Sequence, residues 1–129
     1  MKNKILIVFA ILLGATLLTG CSAGPGKTVQ RFFVAIDKGE IEEAIGYLSS
    51  STIQSLGYDK WRAALIEASN QMAAEGGLKS VKVVEETVKG DIAQVTVKIV
   101  MGNGSEESDS VDLIKEDGDW KIRIDPWSK

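Results

Sequence analysis

A chain of 129 residues and 13.9 kDa has room for one domain, and its 44% hydrophobic and 26% charged residues are an ordinary globular balance. A net charge of −3 and a pI near 5.0 argue against a basic nucleic-acid footprint, so no nucleic-acid partner is expected. The chain has no histidine and one cysteine, which excludes Ser-His and Cys-His nucleophile pairs, an internal disulfide and Cys- or His-rich metal centres; no cofactor is expected.

Lys2 and Lys4 precede an apolar run from Ile5 to Leu13 that extends through Leu17-Leu18. Charge followed by a short apolar stretch is the order of a secretory signal, and the run falls short of the ~20 residues a spanning helix needs. Leu18-Thr19-Gly20-Cys21 then resembles the lipobox of bacterial lipoproteins. That resemblance implies cleavage between Gly20 and Cys21, a diacylglycerol on the Cys21 sulfur and an acyl chain, such as palmitate, on the new amino group. The alternative is an uncleaved anchor with an inert Cys21. Residues 1–20 are thus read as a signal peptide, 21–26 as a lipidated tether and 27–129 as the folded domain. The mature chain carries 13 basic and 18 acidic residues, a net charge of −5. The expected location is the bacterial cell envelope, membrane-anchored through lipid. Ser22 is not the aspartate that resembles an inner-membrane retention signal in enteric bacteria, so the outer membrane is expected in a host with two.

Val29, Phe32, Phe33 and Ile36 recur at helical spacing, with Thr28 as the expected N-cap and Asp37-Lys38-Gly39 as the stop. Ile41, Ala44, Ile45 and Leu48 predict a second helix, which Ser49-Ser50-Ser51-Thr52 should break. A third helix is expected from Asp59 as N-cap, with Trp61, Ala64, Leu65, Ala68 and Met72 on one face and Gly76-Gly77 as its end. The period then changes to two. Val81 and Val83 alternate with Lys82 and the run continues unevenly to Val88. Ala93, Val95, Val97, Ile99 and Met101 follow, then Val111 and Leu113, then Trp120, Ile122 and Ile124. Lys89-Gly90-Asp91, Gly102-Asn103-Gly104 and Asp117-Gly118-Asp119 carry hairpin chemistry between these runs. Short turns force antiparallel neighbours, so the expectation is an α+β fold: three N-terminal helices packed on a four-stranded antiparallel meander.

Phe32-Phe33, Lys38-Gly39-Glu40, Tyr47-Leu48, Gly77-Leu78-Lys79-Ser80-Val81, the Gly90-Asp91 hairpin and Lys115-Glu116-Asp117-Gly118-Asp119-Trp120-Lys121-Ile122 together resemble a family of small bacterial lipoproteins. That family is a domain of unknown function, formerly named for lumazine binding, in the nuclear-transport-factor-2-like, cystatin-like superfamily. The resemblance covers residues ~25–125. It implies a curved sheet wrapped round a long helix, often with a cone-shaped cavity. Enzymes of that superfamily include isomerases and dehydratases that use an aspartate base inside the cone.

The inward register read here, Ala93 to Met101 with Val111, Leu113, Trp120, Ile122 and Ile124, holds no titratable group. No catalytic residue carries over, and the chain is expected not to be an enzyme; catalysis would need an acid such as Asp59 or Asp125 at the cavity rim. Tyr47, Trp61 and Trp120 are the candidate pocket-lining residues, against the alternative that Trp61 and Trp120 are core and Trp127 closes the end of the barrel. Glu106-Glu107-Ser108-Asp109, with Asp112, Glu116, Asp117 and Asp119, lacks the ligand order of a calcium loop and reads as solvated hairpin charge, so no metal site is expected. Lys98, Lys115, Lys121 and Arg123 are expected on a polar outer face. Three readings follow: a lipid-anchored binding or scaffold module for an apolar small molecule or an envelope protein; an isomerase- or dehydratase-type enzyme; or a structural or inhibitory lipoprotein that docks a protein through its sheet.

Overall fold

Residues 23–127 are described by the computed structural model. Helices α1 (Pro25–Asp37), α2 (Ile41–Gly46), α3 (Ser50–Leu56) and α4 (Tyr58–Ala74) precede strands β1 (Leu78–Lys89), β2 (Ile92–Met101), β3 (Glu106–Glu116) and β4 (Asp119–Arg123). The strands form one antiparallel sheet in the order β1-β2-β3-β4. The expected α+β meander is therefore the fold, with one helix more than periodicity predicts.

The additional helix is α3, and it arises where a break was expected. The break is there, since α2 ends at Gly46, but Ser49 also opens a new helix: its Oγ accepts the Thr52 N–H at 3.1 Å and caps it. Short hydroxyl side chains that disrupt a helix interior satisfy the free N–H groups at its start. Thr52 itself is fully buried and joins α3 to the end of β4. Its hydroxyl accepts from Ile124 N at 2.8 Å and from Ser49 Oγ at 2.9 Å, while its proton faces the Ile122 and Ile124 carbonyls at 3.4 and 3.3 Å. Thr52→Val keeps the shape and removes every one of these partners. The expected loss is about 1–3 kcal/mol in urea melts, because buried donors are left unpaired. A loss below about 0.5 kcal/mol would show that the hydroxyl does not hold β4 to α3.

Two other helix starts differ from expectation. Thr28 lies inside α1, its hydroxyl donating to Gly24 O at 3.0 Å, because Pro25 is already fitted to the first helical turn. Pro25 and Gly26, read as tether, are buried in that turn. Asp59 is in the first turn of α4, whose N-cap is Gly57 at φ 95°. The expected stops are accurate. Gly39 N bonds Ile36 O and Glu40 N bonds Ala35 O, and Gly76 and Gly77 repeat that double bond on Ala73 O and Met72 O. Both are Schellman endings with a left-handed glycine.

Helix α1 is the centre of the core and packs on α2, α4, β1, β2 and β4. Val29, Phe32, Ala35 and Ile36 meet Val95, Val97, Leu113 and Ile122, all buried. Only Trp61 and Leu65 of α4 are buried, with Ala68 and Met72 half-buried; Ala64, expected on the inner face, is exposed. The uneven period of β1 comes from irregularities at Leu78/Ser80 and Val83/Glu85. A bulge moves one residue out of step, so Val81 and Val83 share the core face with Glu86 and Val88.

A cleft between the long helices and the end of the sheet

A cleft of about 450 Å³ opens where α1 and α4 part from the β3–β4 half of the sheet. Phe32, Phe33 and Ile36 form one wall, Leu65 and Ala68 another, and Val111, Ile122 and Ile124 its floor. Phe32 and Phe33 meet edge to face with ring centroids 5.6 Å apart. The rim is polar, with Asp109, Ser110, Asp112, Arg123 and Asp125. A neighbouring groove of about 520 Å³ shares Asp112, Arg123, Ile124 and Asp125 and adds the hydroxyl-bearing residues Ser51, Thr52 and Ser55. Together they make an apolar trough that leads to mixed charge and to the hydroxyls of Ser51 and Ser55.

Asp109 is the residue that sequence reading missed. It pairs with Val97 across β2–β3, and Glu107 pairs with Ile99, so both stand on the core face of the sheet. The acidic run expected in a hairpin is thus the first half of β3, and the turn is Gly102–Ser105 before it. The signal was available: counting back from Val111 in steps of two reaches Asp109 and Glu107. Those two positions extend past the cover of the helices and stay exposed. Asp112 is on the opposite face, opposite Arg123, and accepts a 3.1 Å hydrogen bond from Gln94.

The predicted pocket aromatics are not brought together. Trp61 is buried in the core and its Nε1 donates to Thr52 O at 2.6 Å. Tyr47 and Trp120 share a separate groove of about 280 Å³ with Ala23, Thr28 and Arg31. The Tyr47 hydroxyl donates to Glu43 at 3.2 Å; burial first, then that acceptor, hold its pKa above the usual tyrosine value. Trp127 is 72% exposed and closes nothing, because the chain past β4 turns outward on an Asp125 hydrogen bond to its N–H. Of the two rim acids named from sequence, Asp125 borders the cleft and Asp59 does not. Lys98, Lys121 and Arg123 lie on the outer register, but Lys115 pairs with Trp120 on the core-face register and stands 5.2 Å over its ring. Gly20 and Cys21 lie outside the described residues. Among the described residues, no group of three or more acidic, cysteine or histidine side chains is placed to hold a metal ion, and no helix is long and apolar enough to cross a membrane.

The family described as Domain of unknown function (DUF4878) matches residues 19–123. The chain belongs to that family. A protein of Aquifex aeolicus described as uncharacterized is 28% identical over 134 residues, spanning 95% of this chain and 92% of its own length. Among solved structures, a Campylobacter jejuni protein with the provisional name NTF2-like transpeptidase superposes with a TM-score of 0.71, at 21% identity over 80% of this chain and all of its own. A SEC-C motif protein of Rhodopseudomonas palustris gives 0.56 at 16% identity, covering 78% of this chain and 75% of that one. These similarities establish an NTF2-like fold. The transpeptidase name stays with its owner: this chain has no histidine and no serine three residues before a lysine, the spacing of one familiar acyl-transfer nucleophile.

Proposed function

We propose that this DUF4878 protein is a lipid-anchored envelope lipoprotein whose NTF2-like domain binds a small amphiphilic ligand rather than transforming it. The observation that carries the reading is the cleft, in which Phe33, Ala68, Val111 and Ile124 stay half-buried beside a polar rim. The lipidated form rests on the order of the sequence, a charged start, an apolar run and then Leu18-Thr19-Gly20-Cys21. The middle of the outer sheet face carries Gln94, Thr96, Lys98, Ser108, Ser110 and Asp112, with Ile92, Ile114 and Val100 confined to its ends, so it offers a docking protein less than the cleft offers a ligand.

Native mass spectrometry of residues 22–129, followed by titration with fatty acids, isoprenoids and flavin-like compounds, tests the proposal. A bound compound should be lost in Ala68→Trp, which fills the cleft from its half-buried α4 wall, while the melting temperature holds. Binding that survives Ala68→Trp would place the ligand elsewhere. Asp109 favours a second reading, an isomerase- or dehydratase-type enzyme, because it stands on the core face at the cleft rim. Each ligand should be recovered unchanged. Turnover abolished by Asp109→Asn or Asp125→Asn, without unfolding, would establish the enzyme instead.

A further inference from the structure

We propose that the tip of the β1–β2 hairpin is a lipid-contacting wedge, with Val88 and Ile92 dipping into the membrane to which the chain is tethered. This rests on the reading that Cys21 carries the lipid. Val88 and Ile92 are 49% and 51% exposed, although both are branched aliphatics in a paired region of the sheet. Val88 pairs with Ala93 on the core face; Ile92 pairs with Lys89 on the outer face and, across β3, with Ile114. Apolar side chains therefore flank both sides of the Gly90-Asp91 tip, a place where an aqueous hairpin normally carries polar residues.

The position of this tip matches the point at which the chain leaves for the lipid. Gly26, in the first turn of α1, lies against Val83 and Glu86. From Glu86 the hairpin runs four more residues to Gly90, about 13 Å beyond that helix start. Cys21 precedes Gly24 by three residues, so its lipid must enter the bilayer within ~10 Å of Gly24. Ala23 itself lies beside Asp119, Trp120 and Lys121, at the same end of the sheet, where Lys115 N bonds Asp91 O. The two lengths are comparable and start from the same end of the sheet, so one surface can hold the lipid and meet the tip.

The contact is apolar rather than electrostatic. Lys89 and Asp91 flank Gly90, and the adjacent β3–β4 turn carries Asp117 and Asp119, so anionic headgroups are not selectively attracted. The mature full-length protein, purified from membranes and reconstituted in phosphatidylcholine vesicles, provides the test. Nitroxide labels are placed through Val88→Cys, Ile92→Cys and, at the opposite end of the sheet, Asn103→Cys; the Cys21 sulfur is blocked by its own lipid. The expected result is a several-fold higher ratio of oxygen to aqueous nickel-chelate accessibility at positions 88 and 92 than at 103. Equal ratios at all three positions, in protein that floats with the vesicles, would overturn the wedge and leave the anchor standing. A label at 92 shielded from both reagents would overturn it in favour of a protein contact. Label uptake by the unsubstituted protein, or failure to float, would overturn the anchor, and the wedge with it.

Discussion

Val97→Asp is expected to cost about 4 kcal/mol or more, a large share of the roughly 5–15 kcal/mol that holds an ordinary domain, whereas Thr96→Asp on the neighbouring position should cost less than about 1 kcal/mol. Val97 is fully buried and sits between Val83 on β1 and Asp109 on β3. A carboxylate there would lose its hydration without a cationic partner and would stand across the ladder from an existing one. Thr96 is half-buried and pairs with Glu85 and Ser110 on the outer face, where a charge keeps contact with water and its repulsion from Glu85 is screened. Urea melts of residues 22–129 measure both. Similar losses from the two substitutions would mean that the sheet presents the opposite face to α1.

Cys21→Ser is expected to abolish fatty-acid incorporation and to release or mislocalise the protein. Under the proposed lipid anchoring, Cys21 is the point of membrane attachment; no helix among the described residues is long and apolar enough to span a bilayer. A single acyl chain holds a protein only marginally and two or more hold it stably, which makes the loss large once the modified sulfur is gone. Metabolic labelling with a fatty acid and fractionation of the envelope read the outcome directly. Label that persists in Cys21→Ser would end the lipoprotein assignment.

The elements that were legible in sequence share one property: a strong local signal. Alternation from Ala93 to Met101 defined which side of β2 is buried, since a slip of one residue would turn five apolar side chains to water. Gly39 and Gly76-Gly77 ended their helices because only a left-handed residue permits those double hydrogen bonds. The turn read at Asp117-Gly118-Asp119 is there, with Asp117 and Gly118 both at positive φ and Asp119 already the first residue of β4. The errors fall where one residue type serves two roles. The hydroxyls of residues 49–52 read only as a break and also cap a new helix, because that second role depends on whether the next residues find a core, here Trp61 and the β4 end.

The cleft was the least legible part. Its walls were recognised as core-facing residues, yet nothing local says that α1 and α4 part from the sheet above Val111 and leave Phe33 and Ala68 half-covered. Asp109 was missed because the apolar pattern of β3 stops at Val111, while the β2–β3 ladder runs on to Glu106.

By itself, then, the sequence determined the α+β order, the inward faces of β2 and β4, most turns, and the absence of histidine and disulfide chemistry, because periodicity, glycine geometry and composition act over a few residues. Only the tertiary structure decided that Trp61 is a core residue hydrogen-bonded to Thr52, that Tyr47 and Trp120 lie apart from it, and that Asp109 and Asp125 border one apolar cleft. Those relations join residues up to ninety positions apart in the chain, and only the packing of helices against a finite sheet determines which of them stay uncovered.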